Sequence, residues 1–67
     1  MKVEAAAHEL YQDLLKFFNA TDMSIGTDLK KGIFIYVHNK GKAKSIRKHV
    51  ETLHRILYLD FTIDVKY

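Results

Sequence analysis

Residues 33–57 read IFIYVHNKGKAKSIRKHVETLHRIL, and the apolar period changes within them. From Ile33 to His38 the side chains Ile33, Ile35 and Val37 alternate with Phe34, Tyr36 and His38, which is the two-residue period of a strand. Both sets are largely apolar, as suits a strand at the centre of a sheet. From Lys40 to Arg55 the spacing becomes three and four: Ala43, Ile46, Val50, Leu53 and then Leu57 fall on one side of a helix. The loop His38-Asn39-Lys40-Gly41 joins the two. A further alternating run, Leu59 to Tyr67, sets Phe61, Ile63, Val65 and Tyr67 against Thr62, Asp64 and Lys66. Strand, helix and strand in this order predict a parallel pair joined by a right-handed helical crossover.

Upstream, Val3 to Asn19 carries a helical stripe of Val3, Ala7, Leu10, Leu14 and Phe17, widened by Ala6, Tyr11, Leu15 and Phe18. Glu4 and Glu9 sit early and Lys16 late, as the helix dipole prefers, and Asn19 is a natural stop. Thr21 to Thr27 reads as a short strand around Met23 and Ile25. Asp28 to Gly32 carries turn chemistry, with Gly32 free to adopt positive φ. The expected order is α-β-β-α-β: one α+β domain over residues 1–67, with a three-stranded mixed sheet and both helices mainly on one face.

That architecture has a consequence. If Ile33, Ile35 and Val37 join Phe61, Ile63, Val65 and Tyr67 in the core, then Phe34, Tyr36 and His38 lie on the opposite face beside Thr62, Asp64 and Lys66. No third helix exists to cover them. The aromatic face then serves an interface or a stacking platform, unless helix one crosses over and buries it.

Sixty-seven residues support only a small core, and small domains are stiffened by disulfides, metals or self-association. The chain has no cysteine, which excludes disulfides and thiolate zinc sites. Its longest apolar run, Ile33 to Val37, is far short of a membrane span, and the first residues lack the apolar core of a signal peptide. A cytoplasmic protein is expected, with no membrane partner.

The net charge of +3 is unevenly spread. Residues 1–29 hold five acidic residues against two basic; residues 30–58 hold eight basic against one acidic. The cations Lys40, Lys42, Lys44, Arg47 and Lys48 crowd the start of the second helix, where the dipole already favours an anion. Together with Gly41 and His38 they form a candidate phosphate or polyanion site. The bland reading is a solvated face, or a basic surface answering the acidic first helix. The basic run Lys40-Gly41-Lys42-Ala43-Lys44 is similar to the helix start of double-stranded-RNA-binding domains, but a strand follows the helix here. KH domains also have a glycine-containing basic turn, but their GXXG loop is missing. Neither family is assigned.

The histidines His8, His38, His49 and His54 show no HExxH spacing, and no metal or cofactor is expected. Neither serine sits in a nucleophile elbow, and no Walker or dinucleotide motif is present. The chain therefore reads as a non-catalytic binding or regulatory module. Its expected partner is another protein, foremost a second copy, met through Phe34 and Tyr36 or through the helix-one residues Tyr11, Leu15 and Phe18. The alternative is a nucleic-acid-binding protein that sets the cations of helix two against phosphates.

Overall fold

The computed structural model describes residues 2–19, 21–28, 30 and 32–67. The elements are α1 (Val3–Phe18), β1 (Met23–Thr27), β2 (Gly32–Val37), α2 (Lys40–Ile56) and β3 (Thr62–Lys66). They form a small, compact α+β domain with a three-stranded mixed sheet in the order β1-β2-β3. β1 and β2 are antiparallel, with Ile25 opposite Ile35; β2 and β3 are parallel, with Ile35 opposite Val65. The period change at His38 thus marks the crossover it predicted.

The apolar face of β2 is the centre of the core. Ile33, Ile35 and Val37 have no exposed surface, and neither do Leu10 and Leu14 of α1 or Ile46 of α2. Ala6, Ala7, Ala43 and Val50 complete the helix contacts. Alanines at these places let the helices sit close to the sheet. α1 lies over β1 and β2, and α2 over β2 and β3. The helices run antiparallel. Phe17 and Phe18, at the end of α1, meet His49 midway along α2, whereas Glu9, earlier in α1, lies near Tyr58 beyond the end of α2.

Because both helices occupy one face, α1 does not cross the sheet to cover Phe34 and Tyr36. Tyr36 is 46% exposed and Phe34 half-buried. Two helices suffice for one face of three short strands, and the described residues hold no third.

The element ends carry most of the departures from expectation. Asn19 ends α1 in the left-handed region, at φ 51°. Gly32 does not take a positive φ. Its lack of a side chain serves space: the Asp28 carboxylate accepts from the backbone N–H groups of Lys30 and Gly32, each at 2.8 Å. A Cβ on Gly32 would meet that carboxylate at 2.6 Å. Leu29 and Lys31 of this expected turn lie outside the described residues.

At the other end of α2, the expected stripe breaks at Leu57, which is 61% exposed. The helix stops at Ile56, so Leu57 no longer follows the helical period. Tyr58 turns inward instead and is 3% exposed, its ring 6.3 Å from that of the buried Phe61. The Tyr58 N–H joins that of Leu57 on the Leu53 carbonyl, at 3.3 and 2.7 Å. The stretch from Leu59 to Phe61 is turn rather than strand, and β3 begins at Thr62. Tyr67, expected in the core, is 70% exposed because it lies just past the last paired residue, Lys66. Phe17, expected in the α1 stripe, is 69% exposed and stacks on His49 with ring centroids 4.8 Å apart.

Burial first, and then the charges of Glu9 and Asp13, raise the Tyr58 phenol above its ordinary value. The folded state favours the neutral phenol, so this contribution to stability is complete below the unfolded tyrosine value and is lost as pH rises above it. Urea titration reads both effects. Tyr58→Ala is expected to cost about 3 kcal/mol and Leu57→Ala under about 0.5 kcal/mol. Raising the pH past about 10 is expected to weaken the parent chain more than Tyr58→Phe.

Candidate functional site

The start of α2 is organised by Asn39. Its backbone is extended, at φ −126° and ψ 117°, and its side-chain Oδ1 accepts from the Lys42 N–H at 3.0 Å. Asn39 is therefore an N-cap, and it occupies one of the amides that an anion would seek. Gly41 stands beside the cap; a Cβ there would come within 3.4 Å of the Asn39 oxygen.

The cations of α2 do not act as one cluster. Lys42 turns toward β1, with Nζ 3.7 Å from Asp22 Oδ1. That oxygen is buried and has no hydrogen-bond partner, so the long ion pair is its main compensation. The His38 N–H donates to the Asp22 carbonyl at 2.9 Å, and its ring is exposed. Lys40, Lys44 and Arg47, spaced four and three apart, share the flank above β3 and line a shallow cleft of about 240 Å³ with Ala43 and Tyr67. Lys48 is exposed, and the helical period places it on the solvent side of α2.

Arg47 has a structural task within this group. Its Nε and Nη2 donate to the Val65 carbonyl at 3.3 and 2.9 Å. Two turns on, His54 Nε2 lies 2.6 Å from the Phe61 carbonyl. The Val65 carbonyl lies on the free edge of β3, and the Phe61 carbonyl stands just before that strand begins. Side chains of α2 therefore reach that edge and the turn that leads into it. Sequence spacing alone does not reveal this, because nothing local marks an arginine as meeting a strand eighteen residues away.

The second candidate surface is the uncovered face of the sheet. Strand alternation and register set Phe34 and Tyr36 at its centre, on β2. Gly26 and Ser24 stand beside them on β1, and Asp64 and Lys66 on β3. Ser24, Thr62, Asp64 and Lys66 are exposed. Lys66 Nζ is 3.6 Å from Asp64 Oδ2, a pair more than half exposed and so worth little to stability. An added Cβ on Gly26 would touch nothing within 4 Å, so the face is open at that point.

Tyr11, Leu15 and Phe18 are less spare than their spacing suggests. All three are half-buried against the core, and the Tyr11 hydroxyl donates to the Met23 carbonyl at 3.4 Å. Phe18 also meets the His49 ring edge-on at 5.3 Å. His49 in turn lies 3.3 Å from Asp13, which ties the two helices together. The sequence offered no signal for this aromatic and imidazole cluster beyond the presence of its members.

Among the described residues, no three of the histidine, aspartate and glutamate side chains come together as metal ligands, and no helix is long and apolar enough to cross a membrane. No protein-family model, curated protein or solved structure matches the chain.

Thermal or urea unfolding separates the cations by task. Arg47→Ala is expected to lower stability by about 1 kcal/mol, because an exposed edge carbonyl loses a charged donor. Lys44→Ala, with no partner to lose, is expected to stay within about 0.5 kcal/mol.

Proposed function

We propose that this chain is a small non-catalytic binding module that works by protein–protein contact through the uncovered face of its sheet, with a second copy as partner. The observation that supports this most is the anatomy of the face. Two aromatic side chains stand on the central strand, and polar residues ring them on the outer strands. Association surfaces have this arrangement of an aromatic centre and a polar rim. The face also suits itself. A two-fold axis across the strands stacks β3 antiparallel on the partner's β3 and brings Asp64 toward the partner's Lys66.

Its size sets the strength. Three strands of five or six residues span about 14 Å by 18 Å, or roughly 250 Å² of footprint. A stable interface buries about 800 Å² per partner. Self-association through this face is therefore weak and concentration-dependent.

A second reading rests on the cleft of Lys40, Lys44, Arg47 and Tyr67, which gathers cations and one aromatic ring on a single flank. A polyanion lying along α2 would meet Lys40 and Lys44 there and Lys48 on the next turn.

Light scattering over a concentration series reaching about 1 mM tests the first reading. The apparent mass is expected to rise with concentration, and Tyr36→Ser is expected to weaken association by roughly tenfold. A mass that stays monomeric throughout defeats it. Repeating the series with a random oligonucleotide tests the second. Retention that falls steeply with added salt and disappears in Lys40→Glu with Lys44→Glu supports polyanion binding; no retention at low salt removes it.

A further inference from the structure

The two edges of the sheet are treated differently. At the β3 edge, Arg47 occupies the outward Val65 carbonyl. At the β1 edge, the Asp22 carbonyl accepts from His38 N–H and the Asp28 N–H donates to Gly32, so the even-numbered residues of this strand pair with β2. Alternation then turns the N–H and C=O of Met23, Ile25 and Thr27 outward. The Met23 carbonyl receives the Tyr11 hydroxyl at 3.4 Å. No bond among the described residues engages the outward groups of Ile25 or Thr27. Of the devices by which proteins usually protect an edge, the strand Met23–Thr27 has shortness, at five residues, but neither charge nor proline.

Charge and shape at this edge point to an occupant. Asp22 and Asp28 bracket the uncharged strand, six positions apart. The Asp22 side chain is 35% exposed, and only its inner oxygen is taken, by Lys42 Nζ at 3.7 Å. Tyr11 reaches the outward carbonyl of Met23, and Leu15 lies one helical turn along α1, half-buried. The Tyr11 ring offers apolar cover at the edge itself. The opposite edge carries the Arg47 guanidinium and repels a cationic strand.

We propose that the free edge of β1 takes up an extended segment of a partner protein as a fourth, antiparallel strand, and that this segment carries a lysine or arginine at each end, six positions apart. Its outward-facing partners on β1 are Met23, Ile25 and Thr27. Its alternate apolar side chains lie under Tyr11. Its two cations meet Asp22 and Asp28, and affinity comes from the backbone ladder with charge setting the register. This surface is separate from the aromatic face and does not depend on it.

The test uses the synthetic peptide Lys-Val-Thr-Val-Thr-Val-Lys, capped at both ends, titrated into the full chain while backbone amide shifts are followed. The largest changes are expected at Ile25 and Thr27, together with slower hydrogen exchange there. Replacing both terminal lysines by glutamate is expected to weaken binding by roughly tenfold or more. N-methylation of the central valine is expected to abolish binding, and N-methylation of either threonine, whose amide points away from β1, to leave it unchanged. Thr27→Pro removes an outward donor at an edge position that tolerates proline, and is expected to abolish binding while the chain stays folded. The N-methyl peptides keep the test decisive should that variant unfold. Tyr36→Ser is expected to leave peptide binding as it was, which separates this proposal from the reading of the sheet face. Binding that ignores peptide charge and N-methylation, shift changes centred on β3 or Tyr36, or no binding at about 1 mM peptide would overturn the proposal. So would a dimer of the chain alone that Thr27→Pro dissolves while the peptide fails to bind, since the occupant would then be a second copy.

Discussion

Everything in this domain rests on the contact between one face of β2 and two helices. Ile33, Ile35 and Val37 meet Leu10, Leu14 and Ile46 with no exposed surface, and that layer is the centre of the core. A chain of 67 residues makes two helices of sixteen and seventeen residues, enough to roof three short strands on one side only. Among the described residues, no helix covers the other side. The exposed aromatic rings on the central strand follow from that arrangement and from the apolar alternation of β2 on both of its faces.

The same economy explains how the edges are managed. With no spare element to cover them, long side chains from the helices reach over. Arg47 extends from α2 to the Val65 carbonyl and His54 to the Phe61 carbonyl just before β3, while Tyr11 reaches only the first outward carbonyl of β1. The β3 edge becomes basic, with its Val65 carbonyl taken by Arg47. The β1 edge remains largely unpaired between two carboxylates. The basic helix start, which by sequence looks like one anion site, is divided among Asp22, the β3 edge and solvent, with Asn39 capping the helix beneath it.

The fold was legible where period and position agree. Ile33 to His38 and Lys40 to Arg55 differ in spacing within a few residues, and that contrast carries the strand, the crossover helix and the parallel pairing. The uncovered face followed from counting helices. What could not be read were the places where chain geometry overrides period. Leu57 keeps the helical spacing, yet the helix ends one residue earlier and Tyr58 takes the buried place. Tyr67 keeps the strand alternation but has no partner residue on β2. Phe17 keeps the α1 stripe and leaves the core to stack on His49. The latch from Arg47 to Val65 depends on a long-range contact that no local pattern encodes. Among the candidate site residues, Phe34 and Tyr36 share a face as expected, whereas Lys42 parts from Lys40, Lys44 and Arg47 because the helix turns it toward Asp22.

The central claim is that Tyr36 stands on a sheet face with no cover from its own chain and meets its copy there. An isotope-filtered nuclear Overhauser experiment on a mixture of labelled and unlabelled protein reads this directly. The account predicts contacts from the Tyr36 ring to the Phe34 ring of the other copy, and none from that ring to α1 of its own chain. Contacts between Tyr36 and its own α1, with none between copies, would contradict it.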